Sequence, residues 1–480
     1  MINNRIFNQF KLKNNNDLRA KIVEEVKENL KLTIPLTIAQ VSESLMLLID
    51  ILIMGFLGSE VLGAGSLGNM TIRFFLSVGI CLACPVGIFI ASATGNQKYG
   101  EIKTITAQGF FLIAIYTCLV ILLLANEGTI ISYFQPINQS MKDTLSYIHT
   151  VLYGFPAAMA FLLLQNVLIS LGKPRIITIT LMISVFLNAA FNYTFAFGKL
   201  GFPAMGLVGI ALGTALVFWL QLIIVVGYIW RSPDIQIYQI LNKLYIFKWQ
   251  TFKNIIALGW PIGLQVMVEM GFLVLVGYIA GGLGEVQFSA FEAAEQAPML
   301  LGLVFISIEQ ATTTRVAYNL GKNQHHILTI VGIVGIVLGV IFAMTVALIF
   351  FVKSHAILHF YIHPHSDFDL EVIEKSSRIL KFIGIGQMCD ALRIITCGAL
   401  RGIKDTLYPL LIFCGCYAFL GLLLAFVTVN VFQWGIIALV ATIIFISLLS
   451  GLILFKRFLT RTKDPMFLTF LINNQEQNLL

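Results

Sequence analysis

Residues 35–58 read PLTIAQVSESLMLLIDILIMGFLG, and residues 261–284 read PIGLQVMVEMGFLVLVGYIAGGLG. Each run exceeds the roughly 20 mostly apolar residues that a helix needs to cross the hydrocarbon core of a bilayer. Laid on each other at an offset of 226 residues, they pair Pro35 with Pro261, Glu43 with Glu269, Gly55 with Gly281 and Leu57-Gly58 with Leu283-Gly284. The same offset continues without a gap through Ala64 and Ala290, Ala91 and Ala317, and Gly95 and Gly321. Further on, an offset of 230 sets Gly154 and Gly172 on Gly384 and Gly402. Matches of Pro, Gly and Glu at one spacing mark a duplicated chain.

Outward from these stretches the composition is that of a protein dissolved in lipid. Hydrophobic residues make up 58% and charged residues 11% of the 480, against about a quarter charged in a soluble domain, and the mean hydropathy is +0.88. About twelve apolar runs are long enough to span: 32–57, 60–93, 103–125, 142–171, 175–198, 203–230, 252–283, 286–318, 325–352, 372–402, 406–430 and 434–456. They are continuous rather than alternating, which predicts helices and not barrel strands. The expected fold is an all-α integral membrane protein, twelve transmembrane helices in two pseudo-symmetric six-helix bundles around a central cavity. The domains expected are a cytoplasmic leader at 1–31, an N-terminal lobe at 32–230, a cytoplasmic linker at 231–250, a C-terminal lobe at 251–458 and a cytoplasmic tail at 459–480.

The leader is polar and lacks the pattern of a cleaved signal peptide, so the first run is read as a retained span. Within it Leu18, Ile22, Val26 and Leu30 recur at helical spacing, which fits a short helix lying on the membrane surface or a solvated one. Basic residues gather in the leader, at Lys98 and Lys103, Lys173 and Arg175, in the linker, at Lys322, at Arg401 and Lys404, and in the tail. With twelve crossings all of these fall on one side, which by the positive-inside rule is the cytoplasm, and both termini lie there. The net charge of +7 is spread along membrane edges, so nucleic acid is not expected as a partner. The seven cysteines sit in apolar runs and read as small hydrophobes.

Acids inside apolar runs carry the functional reading: Glu43, Asp50, Glu269, Glu292, Glu295, Glu309 and Asp390. An ionisable side chain in a span normally faces a cavity and serves function, because burying it in lipid costs at least a few kcal/mol. Gln40, Glu43, Leu47 and Asp50 recur at spacings of three and four, a polar stripe along one helix face. Asn188 and Asn192 form a similar pair, and a carboxylate among amides in an apolar pocket suits the loading and release of a proton. Two carboxylates such as Glu269 and Asp390 suit a hard cation such as sodium, or one shared proton. Aromatics and methionines including Phe272, Phe288, Phe291, Met267 and Met270 offer a greasy lining for flat lipophilic cations.

Structural alternatives accompany these readings. Asp390 and Arg393, one turn apart, could be a buried ion pair, and Glu295 and Glu309 could be partners of Arg73 or Arg315. Glu43 could be a gate element or a hydrogen-bond anchor. His355, His359, His363, His365, Asp367 and Asp369 crowd one external connection, where a solvated loop is the default over a metal site.

Several motifs together resemble those of the multidrug and toxic compound extrusion (MATE) transporters. They are Ile49-Asp50-Ile51-Leu52-Ile53-Met54-Gly55-Phe56-Leu57-Gly58, Pro261-Ile262-Gly263-Leu264-Gln265 followed by Glu269, and Cys389-Asp390-Ala391-Leu392. The most specific continues from there, Gly398-Ala399-Leu400-Arg401-Gly402-Ile403-Lys404-Asp405-Thr406, and the stretch 171–206 with Gly172-Lys173-Pro174 and Gly198-Lys199-Leu200-Gly201-Phe202-Pro203 also fits. The resemblance covers nearly the whole chain and is strongest to bacterial sodium- or proton-coupled exporters. It implies a secondary active transporter that exports small organic, cationic and lipophilic compounds in antiport with H+ or Na+ by alternating access. It assigns cation coupling to Glu269, Asp390, Asp50, Asn188 and Asn192; the polar stripe, the embedded acids and the aromatics add a substrate cavity at Gln40, Glu43, Glu292, Glu295 and Phe291. The chain departs from the family where a His-Gln pair is usual, carrying Phe291 and Glu292 instead.

The partners expected are a small-molecule substrate, the coupling cation and membrane lipid. The protein is expected to be a monomer in the bacterial inner membrane, with no prosthetic cofactor, no resident metal and no enzymatic activity. A lipid-linked saccharide flippase of the same superfamily is the alternative; such proteins tend to line their cavity with cations, whereas these spans hold seven acids against few bases, chiefly Arg73, Arg315 and Arg393.

Overall fold

The computed structural model describes residues 15–132, 138–242, 244–361, 366–464 and 467. Among them the regular structure is helical throughout, with no strand. The helices are α1 (Asn15–Leu57), α2 (Ser59–Gly95), α3 (Tyr99–Ala125), α4 (Gln139–Leu152), α5 (Phe155–Ser170), α6 (Pro174–Phe197) and α7 (Gly206–Arg231). The second half supplies α8 (Trp249–Gly281), α9 (Glu285–Gly321), α10 (His325–Tyr361), α11 (Asp367–Gly402), α12 (Leu407–Val431) and α13 (Ile436–Lys463). Eleven of these are long and apolar enough to cross a membrane, and α4 with α5 makes a twelfth span when the bent pair is taken as one. The chain is a multi-pass membrane protein.

The expected straight span at 142–171 is bent by 53° between α4 and α5. Pro156 in the first turn of α5 has no N–H to return to the preceding turn, which stops α4. Gly154 then lets the bend settle against α7, where an added Cβ would lie 2.6 Å from the Ala215 Cα. The two repeats share a device between their first and second helices. Gly58 (φ 122°) and Gly284 (φ 103°) hold matching positions in the left-handed region that favours glycine, and each breaks one long helix from the next.

The chain forms two compact units, one of residues 34–260 and the other of residues 261–480 together with 1–33. Both divisions fall beside the paired prolines, Pro35 inside α1 and Pro261 inside α8, where a missing backbone N–H weakens the helix. Each unit thus contains the leading arm of the other repeat's first helix. Residues 15–31 of the leader are therefore not a separate helix on the membrane surface, because they run without a break into the first span. Glu25 is 6% exposed and accepts from Arg315 at 2.7 Å and 3.0 Å. One turn on, Asn29 donates to Thr312 Oγ1 at 3.2 Å. In the other unit Gln108, fully buried, holds the chain before α8 by donating to the Ile246 carbonyl at 2.8 Å and accepting from the Lys248 N–H at 3.1 Å.

Each unit has its own apolar core. In the N-terminal unit it centres on Met54, Val86, Ile90, Phe155, Met159, Leu163 and Ile210. In the C-terminal unit it centres on Phe272, Phe291, Leu380, Phe413, Ile446 and Phe458. In α12 the residues 414–421 and 427–431 adopt π-helical geometry, a widening of the helix that often accompanies functional sites.

Candidate functional site

In the N-terminal unit Asp50, 5% exposed on α1, accepts a 2.6 Å hydrogen bond from Asn192 Nδ2 on α6. Asn188 lies one turn earlier on the same helix, fully buried. Among the described residues Oδ1 of Asn188 and Oδ1 of Asn192 have no hydrogen-bond partner, while the amide of Asn188 acts on the Asp50 carboxyl as a donor. A buried amide left unpaired costs about 1–3 kcal/mol, so such groups call for an explanation. Here the unmatched oxygens are acceptors beside a carboxyl that has a donor only when it carries a proton. α6 and α7 approach closely at this point, since a Cβ on Gly213 would lie 2.1 Å from Asn192 Oδ1.

Asp50 also lines a cavity of about 160 Å³ inside this unit, together with Glu43, Asn69, Arg73, Tyr147 and Gln221. Apolar walls complete it, among them Met46, Leu76, Phe161 and Phe218. Arg73 acts electrostatically on both Glu43 and Asp50, yet no ion pair closes between them among the described residues. Of the expected stripe, Glu43, Leu47 and Asp50 reach the cavity and Gln40 does not. Tyr147 carries no role in the expectations above, and Arg73 enters them only as a possible partner of Glu295 or Glu309. An arginine inside an apolar run was a signal as strong as an acid there, and it marked this cavity.

The C-terminal unit arranges its charges differently. Arg393 on α11, 6% exposed, makes an ion pair with Glu269 on α8 at 2.8 Å and with Asp390 at 3.3 Å. Its Nε donates to Ser447 Oγ on α13 at 3.3 Å, and Ser447 donates in turn to Asp390 Oδ1 at 2.7 Å. The rings of Phe413 and Tyr417, stacked on each other at 5.0 Å, lie 5.4 Å and 5.5 Å from the guanidinium carbon. The ion-pair alternative for Asp390 is thus the observed geometry, and Glu269 joins it. Glu295 is half-buried within electrostatic reach of Asp390 and Glu292, and Glu292 itself is exposed. Phe291, expected at the substrate, is buried in the apolar core, as is Phe272.

The remaining charges pair otherwise than expected. Glu309 meets Arg401 at 3.1 Å, and Arg315 meets Glu25 rather than Glu295 or Glu309. Arg401 also donates to Gln265 at 3.3 Å, so the acid and the amide are held by one guanidinium. His355 and His359 are exposed on the last turns of α10. His363 and His365 lie outside the described residues, and Asp369 is engaged in capping α11 through Ser366. No group of three metal-ligating side chains converges among the described residues.

The model of the MatE family matches this chain twice, over residues 35–194 and 261–427, beginning at the two prolines that the repeat pairs. The chain is 26% identical to a probable multidrug resistance protein NorM of Synechocystis, covering 82% of this chain and 86% of that protein. It is 28% identical to the multidrug resistance protein MdtK of Photorhabdus laumondii, covering 80% and 84%. Its fold is similar to that of the Vibrio cholerae MATE transporter VcmN, with a TM-score of 0.83 at 14% identity over 94% of this chain and the whole of the other.

Proposed function

This chain belongs to the MatE family of transporters, and from that premise we propose that it exports small organic compounds, cationic and lipophilic, in antiport with H+ or Na+ by alternating access. The relatives named multidrug resistance proteins support the cargo class. The observation that carries the coupling is the Asp50 site: a buried carboxylate that opens on a cavity and is flanked by amides able to serve either of its states. The donor Nδ2 of Asn192 suits the ionised carboxylate, and the free amide oxygens suit the protonated one. A site built for both states can take up a proton from one side and release it to the other without leaving a buried polar group stranded in either.

In this reading Glu43 and Asp50 attract the cargo's positive charge in the N-terminal unit, while Glu292 and Glu295 do so in the C-terminal unit. The protein works as a monomer in the inner membrane with both termini cytoplasmic, a transporter and not an enzyme, and uses no cofactor beyond the coupling ion.

Reconstituted vesicles loaded with a fluorescent organic cation test this. Proton and sodium gradients are imposed one at a time on the wild type and on Asp50→Asn. Export by the wild type under a proton gradient, lost in Asp50→Asn, is the expected outcome. Undiminished gradient-driven export by Asp50→Asn would remove the coupling role from this carboxylate.

A further inference from the structure

We propose that the Arg393 guanidinium is the resident cation of the C-terminal unit, standing between Glu269 and Asp390 where a free coupling ion would bind, so that this half of the protein operates without sodium. The assignment builds on the exporter reading for its effect on transport, while its effect on ion binding stands without it.

A hard cation needs several oxygen ligands converging on one point. Oxygens of Glu269 and Asp390 do converge, but on Nη1 and Nη2 of Arg393, at 2.8 Å and 3.3 Å. The Ser447 hydroxyl, a further ligand that sodium could use, lies between Arg393 Nε and Asp390 Oδ1 at 3.3 Å and 2.7 Å. Two aromatic faces cover the guanidinium, an arrangement that favours a weakly hydrated, planar cation over a small hydrated one. A sodium ion entering here would meet carboxylate oxygens already engaged by Arg393 and Ser447 and a positive charge within a few ångströms, in surroundings that screen poorly.

The position of Arg393 is also fixed. Its backbone packs closely against α13: a Cβ built on Gly451 would be 3.3 Å from the Arg393 nitrogen. The π-helical segment of α12, beginning at Cys414, holds Tyr417 over the guanidinium. A tethered charge cannot be taken from one side of the membrane and delivered to the other, so it stores nothing from an ion gradient. What it supplies is one permanent positive charge shared by two acids, while Glu292 and Glu295, with no ion-pair partner among the described residues, are the acids of this cluster open to a mobile cation.

Sodium binding to the purified full-length protein decides the matter. Radioactive sodium binding and thermal unfolding are measured in sodium chloride and in choline chloride of equal ionic strength, for the wild type, Arg393→Gln, Arg393→Lys and the double variant Arg393→Gln/Glu269→Gln. The wild type and Arg393→Lys should show no saturable sodium effect. Arg393→Gln should gain saturable sodium binding that the wild type lacks, and the double variant should lose that gain. Saturable sodium binding by the wild type would overturn the proposal, as would a folded Arg393→Gln with no sodium response. Should Arg393→Gln fail to fold, the wild-type measurement decides alone. In vesicles, wild-type export should proceed equally with and without sodium; a protein that exports nothing under any gradient would sink the exporter reading and leave the binding result standing.

Discussion

Asn192 donates its Nδ2 proton to Oδ1 of Asp50 across 2.6 Å, tying the C-terminal part of α1 to α6 inside the N-terminal unit. The bond joins residues 142 positions apart in the chain. Any change in how Asp50 is held is therefore felt by two helices at once. If the carboxylate works by exchanging a proton, Asp50→Asn freezes the site in a neutral state while keeping its shape. Proton-driven export should fall to the level of vesicles without protein, with a detergent melting temperature equal to or above that of the wild type. A large drop in melting temperature instead would mean that Asp50 serves the fold.

Gly213 permits the close approach of α7 to Asn192. An alanine there would place its Cβ 2.1 Å from Asn192 Oδ1 and 3.1 Å from the Asn192 nitrogen, so the amide or the helix must move. Gly213→Ala is expected to lower the initial export rate about tenfold through loss of the Asp50 bond, at a stability cost of about 1–3 kcal/mol from overpacking. Cysteine labelling of a surface site at equal rates in both proteins would show that the fold survives. Unchanged export would show that the position of Asn192 is not needed.

Much of this architecture is legible in the residues, for definite physical reasons. Apolar runs long enough to cross a bilayer can hardly be anything else, and an offset that pairs prolines and glycines reports equal backbone geometry, as Gly58 and Gly284 confirm. The Asp50 site is legible because a carboxylate and two amides in apolar runs must find one another or pay for desolvation. The clamp on Glu269 is only half legible: Asp390 and Arg393 are one helical turn apart, but nothing local says that α8 brings Glu269 to the same guanidinium. Pairing of Glu309 with Arg401 and of Arg315 with Glu25 is through space and leaves no local pattern. The π-helical geometry of α12 has no compositional signal, and the joining of the leader to α1 was hidden by the polarity of residues whose partners lie some 290 positions away.

The leader's burial has a measurable consequence. Glu25 and Arg315 form a nearly buried, two-pronged ion pair, and removing one partner strands the other charge. Glu25→Gln should destabilise the protein by roughly 3 kcal/mol, read as a lower melting temperature in detergent. Replacing both, as Glu25→Leu with Arg315→Met, should recover most of the loss, since apolar groups of similar volume often substitute for a buried pair at little cost. A leader that merely rested on a membrane would show no effect from either change.

Glu127 offers a test by pH. It begins the short helix Glu127–Ser132 just beyond α3, is 8% exposed, and its Oε1 has no hydrogen-bond partner among the described residues. Burial raises its pKa from an ordinary 4.5 to about 7. Between those values the folded chain keeps a proton that the unfolded chain has released, so stability declines as pH climbs through that window and the loss is complete above about 7. Glu127→Gln removes the ionisable group while keeping its size. The variant should therefore melt higher than the wild type at pH 8, by about 1 kcal/mol once partial hydration is allowed for, and the two should converge toward pH 4.5, where the carboxyl is protonated in the folded chain. Melting curves of both proteins across this range check it. A difference that stays constant with pH would show that the side chain is solvated and that its burial has no energetic weight.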